Sequence, residues 1–255
     1  MKSVGNLENK HILITGGASG IGAATALLVA SRGAKVVVSD QNRQQGEAIV
    51  EQICAKGGVA TFIAADVSDS DSVVALFTQA KAAYGPVNVT INNAGIDHKP
   101  TPMHLVDDAV FHRNVAVNLA GVWYCMKQAI IQMLDNGGGH VINIASVAGL
   151  HSAPTIAAYS ATKHGVMGLT KSAAVEYARA NIRVNAVCPS FVRTPMVENV
   201  LANVDERVRN AMIKANPMKR LGEVEEIAGA LAWLCSDESS FMTGQSVVLD
   251  GGMLA

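Results

Sequence analysis

Short runs of β-branched and other apolar residues alternate along the chain with longer stretches rich in alanine, leucine and charge. Intervening stretches such as residues 22–31, 44–55 and 70–84 have the length and composition of helices. Strands that are apolar throughout and separated by helices indicate a parallel sheet covered on both faces, and hence one doubly wound α/β domain over residues 1–255. The predicted strands are residues 11–15, 34–39, 60–64, 87–91, 140–145, 182–187 and 246–249.

The segment 189–217 interrupts this alternation. It contains three prolines and two short helical stretches, 196–201 and 205–214. Ligands of doubly wound folds bind beyond the carboxyl ends of the strands, so we interpret the segment as a substrate lid inserted after a late strand. A helical excursion on the surface is the alternative.

Composition narrows the classes of function. The 255 residues carry a net charge of −1 without a block of like charges, so we expect no nucleic-acid partner. The first ten residues are polar and no stretch approaches the roughly 18 to 20 apolar residues of a membrane span, so we expect a cytoplasmic protein without a membrane partner. Cys54, Cys125, Cys188 and Cys235 have no metal-ligand spacing, which predicts buried free thiols and no metal.

A glycine-rich stretch, Thr15-Gly16-Gly17-Ala18-Ser19-Gly20-Ile21-Gly22, joins the first predicted strand to a helix. Glycines let the backbone turn tightly and bring its N–H groups to a pyrophosphate at the helix N-terminus. Between a strand and a helix at the start of an alternating fold, this loop predicts a dinucleotide site. A glycine-rich turn that binds nothing is the alternative. The candidate contacts are Gly16, Ser19, Gly20, Ile21 and Gly22.

Asp40 ends the second predicted strand, about 20 residues after the loop, where an adenosine ribose would lie. A carboxylate can accept hydrogen bonds from both ribose hydroxyls and repels a 2′-phosphate. The cofactor is therefore predicted to be NAD rather than NADP. Arg43 leaves NADP use open, because a guanidinium could turn toward a phosphate.

Asp66 and Val67 follow the third predicted strand. Their place at the carboxyl edge of the sheet makes them candidates for contact with the adenine. A helix N-cap at Ser68 or Asp69 is the alternative for this polar cluster.

Tyr159 and Lys163 are four residues apart, so in a helix their side chains share one face. A free phenol has a pKa of about 10, and a nearby cation favours the phenolate. We therefore expect Lys163 to lower the pKa of Tyr159 toward the working range of a general base. Ser146 lies thirteen residues before Tyr159, at the end of the strand predicted over 140–145. This spacing also arises by chance, so the remaining motifs decide its meaning.

The motifs together resemble those of short-chain dehydrogenases/reductases, over residues of about 10–252. The resemblance implies a Rossmann-like domain with a seven-stranded parallel sheet, NAD(H) or NADP(H) as the cofactor, and a homotetramer. The motifs that carry it are the glycine-rich loop, Asp40, Asp66, Asn92-Asn93-Ala94-Gly95, Asn118, Ser146, Tyr159-x-x-x-Lys163 and the segment from Pro189 to Thr194.

The resemblance implies roles for four catalytic residues. Tyr159 would be the general acid/base, and Lys163 would stabilise the phenolate and bind the nicotinamide ribose. Ser146 would hydrogen-bond the substrate oxygen, where charge develops. Asn118, in a helix expected around residues 115–126, would hold a water that connects Lys163 to solvent.

The resemblance also implies contacts along the rest of the cofactor. Residues after the fourth strand would border the adenosine, although a plain turn is the alternative there. Residues after the sixth strand would surround the nicotinamide, where Ser190 replaces the glycine usual in the family. The implied contacts are Asn93, Gly95, Pro189, Val192 and Thr194.

Three loops, 96–103, 147–154 and 191–204, should converge above the nicotinamide. Their histidines and charges, including Asp97 and His98, indicate a polar or anionic substrate. His151 is a candidate substrate contact beside Ser146 and Tyr159. The alternative is that these loop residues are polar because they face water.

The expected activity is NAD-dependent interconversion of a secondary alcohol and a ketone. Sugar or steroid dehydrogenases and 3-oxoacyl reductases are alternatives within the class, although the last usually prefer NADPH, against which Asp40 argues. An NAD(H)-sensing module without catalysis is the alternative outside it.

Overall fold

The computed structural model describes residues 6–255 and contains one seven-stranded sheet in the order β3-β2-β1-β4-β5-β6-β7. Every neighbouring pair of strands is parallel. The predicted Rossmann-like, doubly wound α/β fold is thus confirmed. Residues 1–5 of the predicted domain lie outside the described residues. The strands are β1 (His11–Thr15), β2 (Lys35–Asp40), β3 (Val59–Ala64), β4 (Val89–Asn92), β5 (Gly139–Ile144), β6 (Ile182–Pro189) and β7 (Ser246–Leu249).

Nine α-helices connect or flank these strands in the described part of the chain. Several begin at a polar residue whose side chain accepts from the first turn, as Asn42, Asp69 and Thr194 do. The helices are α1 (Gly20–Ser31), α2 (Arg43–Ala55), α3 (Ser70–Tyr84), α4 (Asp108–Val115), α5 (Gly121–Asp135), α6 (Ala157–Glu176), α7 (Pro195–Ala202), α8 (Glu206–Lys214) and α9 (Val224–Cys235).

The helix expected around residues 115–126 is instead the junction of α4 and α5. A π-helical turn, Ala116–Ala120, joins the two helices, and the buried Asn118 lies within it. π-helical turns within helices often occur at functional sites. The apolar periodicity of the segment indicates a helix but carries no sign of this local widening.

The core lies on both faces of the sheet, which explains why consecutive positions of the central strands are apolar, as at 12–14 in β1 and 36–38 in β2. Alternate residues of one strand face opposite sides. Leu13 therefore packs in the cluster that includes α3, α5 and α6, whereas Ile12 and Ile14 pack in the cluster that includes α1 and α9. Both clusters hold the strands in one register and so fix where each strand ends.

The strand order places a crevice beside β1. This strand pairs with β2 on one side and β4 on the other, so the chain crosses to opposite halves of the sheet at its carboxyl end. Ligands of doubly wound sheets bind at this switch point. The helices α7 and α8 lie in the chain between β6 and α9, in the segment interpreted from the sequence as a lid.

Three of the four cysteines are buried, as predicted. Cys125, Cys188 and Cys235 are buried free thiols, but Cys54 is exposed, because it lies near the C-terminal end of α2 on its outer side. The expectation of burial was wrong for that residue. In residues 6–255 no helix combines the length and apolarity required to cross a bilayer.

Candidate active site

A cleft of about 380 Å³ opens at the carboxyl edge of the sheet. It brings together side chains and backbone from the loops after β1 to β6. Most of the candidate residues line it: Gly16, Ser19, Gly20, Ile21, Asp40, Val67, Asn93, Gly95, Ser146, Tyr159, Lys163, Pro189, Val192 and Thr194. Four candidates are not among the lining residues, namely Gly22, Asp66, Asn118 and His151.

The glycine-rich loop is packed too tightly for side chains. Gly16 has a φ of +62°, and a Cβ there would lie 2.8 Å from Cα of Ala94. A Cβ on Gly22 would overlap the carbonyl oxygen of Gly16. The Asn93 amide donates to the carbonyls of Thr15 and Gly16, at 3.0 and 2.8 Å, and so fixes the turn.

The N-terminus of α1 faces the cleft beyond this turn. Its N-cap, Ser19, makes no capping hydrogen bond through its side chain, and Gly20 and Ile21 of the first turn line the cleft. A helix N-terminus presents N–H donors and a positive dipole end to an anion. The glycine cradle and this helix end fit a pyrophosphate.

Asp40 lies at the far end of the cleft, held by two backbone donors. Its carboxylate accepts from the N–H of Ala18 at 3.2 Å and from the N–H of Asn42 at 2.9 Å. Arg43 pairs with Glu47 at 3.0 Å, and its guanidinium lies 5.6 Å from the ring centroid of Phe62. The contacts of Arg43 are therefore with its own helix and β3.

Asp66 and Val67 differ in their position relative to the cleft. Val67 lines the cleft, whereas the Asp66 carboxylate accepts from the N–H and hydroxyl of Ser68, at 2.8 and 2.6 Å. Burial raises the pKa of Asp66, but the hydrogen bonds from Ser68 outweigh it and the pKa is lowered overall. Asp69 is the N-cap of α3. The cap alternative therefore applies to Asp69.

Ser146 and Tyr159 meet at the opposite end of the cleft from Asp40. Ser146 follows β5, and its Oγ accepts from the N–H of Ala148 at 3.1 Å. Tyr159 lies in the first turn of α6, and burial raises the pKa of its phenol to about 12. A hydrogen bond with Ser146 lowers this pKa in part, and the nearby charge of Asp97 raises it.

The structure contradicts the prediction that Lys163 lowers the pKa of Tyr159. Lys163 is 3% exposed, and its Nζ donates to the carbonyl of Ile144 at 2.8 Å. The same Nζ lies 5.5 Å from the ring centroid of Tyr159. Burial lowers the pKa of Lys163 to about 8. Desolvation thus disfavours the charged form of both groups.

Asn118 is fully buried and holds the loop after β4. Its Oδ1 accepts from the N–H of Ile96 and its Nδ2 donates to the carbonyl of Ile96, both at 2.8 Å. Nδ2 also lies 3.4 Å from Oγ1 of Thr162, in α6. Asn118 therefore connects the loop to the helix that carries Tyr159, a structural role that its sequence position does not indicate.

The loop residues differ in how close they lie to the cleft. His151 is exposed, with Nδ1 3.0 Å from the carbonyl of Ser152, and it is outside the cleft wall. Asp97 is half-buried and follows the cleft residue Ile96. Arg113 of α4 also lines the cleft near Asp66. No motif marks Arg113, so sequence reasoning missed it.

These residues fit an extended dinucleotide. A carboxylate stands where a ribose would lie, a glycine cradle and helix N-terminus meet the pyrophosphate, and Tyr159, Lys163 and Ser146 surround the reactive end. Fold and site define the class as a dinucleotide-binding oxidoreductase. A sequence model described as enoyl-(acyl carrier protein) reductase matches residues 16–254. The chain belongs to the short-chain dehydrogenase/reductase family, as predicted.

Two characterised relatives are similar over nearly their whole length. A cyclohexanol dehydrogenase from Acinetobacter sp. (strain SE19) is 41% identical over 244 residues, covering 96% of this chain and 94% of that protein. A 2,5-dichloro-2,5-cyclohexadiene-1,4-diol dehydrogenase from Sphingobium indicum is 39% identical over 251 residues, covering 98% and 99%. Both names describe oxidoreductases.

Two crystal structures have the same fold. Levodione reductase superposes with a TM-score of 0.92 at 38% identity, covering 96% of this chain and 97% of that chain. A 3-ketoacyl-(acyl-carrier-protein) reductase from Brucella melitensis, complexed with NADH, has a TM-score of 0.91 at 35% identity and coverage of 98% and 100%. The chain is thus an oxidoreductase of this family.

Proposed function

We propose that this protein is an NAD-dependent oxidoreductase, built as a single catalytic domain, that interconverts a secondary alcohol and a ketone. The observation that carries the proposal is the arrangement of one cleft. Asp40 lies at one end, the glycine cradle in the middle, and Tyr159, Ser146 and Lys163 at the other end.

The cleft residues would hold NAD along its length. Asp40 accepts hydrogen bonds from the adenosine ribose, and Val67 borders the adenine. The first turn of α1 receives the pyrophosphate. The loop after β6 surrounds the carboxamide end, with Ser190 adding a hydroxyl to the wall. When bound, the nicotinamide supplies the acceptor or donor of hydride. The residues at that end are Tyr159, Lys163, Pro189, Val192 and Thr194.

Tyr159 would move the proton that accompanies hydride transfer. Its raised pKa keeps the phenol protonated at neutral pH, so it is set to donate to a developing alkoxide in ketone reduction. Ser146 donates a second hydrogen bond to the same oxygen and stabilises its charge. In alcohol oxidation Tyr159 accepts the proton. Lys163 lies beside the Tyr159 ring and would bind the nicotinamide ribose.

The choice of NAD over NADP rests on Asp40 and on the engagement of Arg43 with Glu47. A 2′-phosphate at Asp40 would meet a carboxylate held by two backbone N–H groups, without a free cation from Arg43 to compensate. The relative crystallised with NADH supports a nicotinamide cofactor of this kind.

The substrate enters over the nicotinamide end of the cleft. Met196 and Val197 of α7 already line its wall, which supports a lid function for segment 189–217. The named relatives support a cyclic secondary alcohol as the substrate class, with sugars, steroids and 3-oxoacyl groups as alternatives. We further infer a cytoplasmic homotetramer without nucleic-acid or membrane partners.

A screen for NAD reduction tests the proposal. The purified protein is mixed with NAD or NADP and a panel of cyclic alcohols, sugars, hydroxy acids and steroids, and NADH formation is followed by absorbance. We expect turnover of at least one alcohol. Tyr159→Phe should bind NADH normally but lose about a hundredfold or more of the activity, since general acid/base catalysis contributes about 10²–10⁴-fold.

Two results would oppose the proposal. Tight NADH binding without turnover across the panel would favour an NAD(H)-sensing module. Wild-type turnover by Tyr159→Phe would remove Tyr159 from the chemistry. The substrate affinity of His151→Ala is measured separately. His151 is exposed, so it contacts the substrate only if the loop 147–154 closes over the cleft.

A further inference from the structure

Arg113 is a cationic residue of the cleft wall to which the proposed chemistry gives no task. It is exposed, lies in the last turn of α4 and lines the cleft. Among residues 6–255, no carboxylate forms an ion pair with its guanidinium. The charged group is therefore accessible to a ligand in the cleft.

The packing of the helical segment fixes where Arg113 lies. A Cβ on Gly121, the first residue of α5, would lie 2.9 Å from Cγ2 and 3.0 Å from the carbonyl oxygen of Val67. The segment thus passes directly against Val67. Val117 lies one turn earlier and Arg113 one turn earlier again, on the same side, and both line the cleft. We call Gly121, Val117 and Arg113 the α4 row; it runs from the buried Val117 to the exposed Arg113.

The α4 row lies at the adenine end of the proposed cofactor site. Neighbouring strands in the sheet are β3, β2 and β1, in that order. The pyrophosphate would lie at the glycine loop after β1, and the adenosine ribose at Asp40, which ends β2. Val67 follows β3, so the next part of the cofactor outward, the adenine, would meet Val67 and the row that packs on it.

Asp66 supports this position without occupying the guanidinium. Its carboxylate accepts from the N–H and hydroxyl of Ser68, at 2.8 and 2.6 Å, and forms no ion pair with Arg113. Burial raises the pKa of Asp66, whereas Ser68 and, more weakly, the charge of Arg113 lower it. Arg113 therefore lies on the Asp66 side of the cleft but is not held there by a salt bridge.

The side chains of this end suit an aromatic base. Val67 and Val117 are both buried hydrophobic residues of the cleft wall, which favours contact with a flat, largely apolar ring. A guanidinium is planar, more weakly hydrated than an ammonium, and stacks on aromatic faces. An exposed arginine beside this wall can cover the side of the base that would otherwise face water.

We propose that Arg113 is a cofactor-binding residue that stacks its guanidinium on the adenine of NAD and so closes the adenine end of the cleft. The inference rests on the proposed function, because it requires a nicotinamide dinucleotide in the cleft. It gives a task to a residue that no sequence motif marks.

Fluorescence titration with NADH tests the inference. Arg113→Ala should raise the Kd for NADH about threefold to tenfold, because a cation–π or stacking contact to a base has about this strength. The kcat at saturating NAD should not fall, since Tyr159 lies at the other end of the cleft. Lys56→Ala removes an exposed cation just before β3 begins, at the opposite edge of the sheet, and should leave the Kd unchanged.

Two further measurements separate the adenine from the phosphates of the cofactor. Arg113→Lys keeps the charge but lacks the planar group, so it should recover little of the lost affinity. Adenosine, which carries no phosphate, should compete with NADH for the wild type. Its inhibition constant should rise in Arg113→Ala by about the same factor as the Kd for NADH.

Three outcomes would overturn the inference. An unchanged Kd for NADH in Arg113→Ala would make Arg113 a solvated surface cation. Full recovery by Arg113→Lys, or an inhibition constant for adenosine that does not change, would assign the contact to a phosphate. Failure of the proposed function looks different, because the wild type would then bind NADH in the titration but oxidise no alcohol of the panel.

Discussion

The side-chain amide of Asn118 bonds both polar atoms of Ile96, with Oδ1 accepting from its N–H and Nδ2 donating to its carbonyl, each at 2.8 Å. Asn118 lies in the π-helical turn between α4 and α5, and Ile96 lies in the loop that borders the cleft. The fully buried amide thus makes the pair of hydrogen bonds to this loop that a neighbouring strand would make in a sheet. The catalytic end of the cleft depends on this contact.

We predict that Asn118→Ala destabilises the protein by about 2–4 kcal/mol, because two partly buried backbone groups of Ile96 lose their partner, at about 1–3 kcal/mol each. Urea unfolding followed by circular dichroism measures this. The kcat/KM for the preferred alcohol should fall as well, since the loop carrying Gly95 and Ile96 loosens. Gln52→Ala, which changes an exposed amide of α2 outside the cleft wall, should leave both quantities unchanged.

A different result would assign Asn118 a different task. If the residue served only to hold a water in a proton path, its alanine variant would unfold like the wild type while kcat fell. That combination would contradict the structural role inferred from the two Ile96 contacts.

Cofactor choice is predicted to depend on charge at Asp40. Wild-type kcat/KM should favour NAD over NADP by about a hundredfold or more, and Asp40→Asn should reduce this ratio about tenfold. The asparagine keeps an acceptor oxygen for the N–H of Asn42 and loses the oxygen that accepts from the N–H of Ala18, and it removes the repulsion of a 2′-phosphate. Initial rates with each cofactor at saturating alcohol give the ratio.

Arg43 provides the matched comparison for Asp40. Glu47→Ala frees the guanidinium but leaves the carboxylate of Asp40, so the variant should still reject NADP. Adding Glu47→Ala to Asp40→Asn should raise NADP use above that of the single Asp40 variant. Equal use of both cofactors by the wild type would refute the assignment.

The fold could be predicted from the sequence because its signals are local and repeated. The buried strands β1, β2 and β4 have apolar, mostly β-branched centres, and the segments between them have helical composition, so their order alone implies the parallel sheet. Strand ends shifted by one or two residues. For example, β6 continues to Pro189, where pairing with Leu249 of β7 extends it. Such ends depend on partners that are distant in sequence.

The sequence predicts the site residues that belong to a motif, but not those whose position depends on tertiary contacts. The glycine loop and Asp40 reveal themselves by spacing. The clamp of Asn118 on Ile96 and the cleft position of Arg113 depend on tertiary contacts of the π-helical turn and α4. The turn of Asp66 toward Ser68 depends on the local backbone after β3. The pKa of Tyr159 was expected to be lowered because helical spacing shows Lys163 but not the burial of both side chains.

The close packing of the glycine loop predicts a sharp difference between two glycines. Gly22→Ala should weaken NADH binding at least about tenfold and lower Tm, because its Cβ would overlap Gly16 and overpacking costs about 1–3 kcal/mol or more. Gly229→Ala in α9 meets no atom within 4 Å and should instead raise stability by about 0.5–1 kcal/mol. Fluorescence titration and thermal unfolding measure both. Similar behaviour of the two variants would mean that the loop can expand to admit a side chain.

The pH dependence of oxidation should report the charge of Asp97. Burial sets the raised pKa of Tyr159 and Asp97 adds to it, while Ser146 lowers it and the Cys188 thiol adds a further increase. Alcohol oxidation requires the proton acceptor form of Tyr159, so kcat/KM for oxidation should rise with pH through the neutral range. Removing the Asp97 charge favours the phenolate, and the rising limb should therefore move to lower pH in Asp97→Asn.

Cyclohexanol is the test alcohol for this profile, because it has no other polar group and no titratable group of its own. Glu225→Gln in the first turn of α9, which removes a charge outside the cleft wall, should leave the profile in place. Ketone reduction requires the protonated phenol, so its rate near neutral pH should not rise in Asp97→Asn. A limb that stayed fixed, or moved to higher pH, would mean that the carboxylate of Asp97 does not act on Tyr159 in the working enzyme.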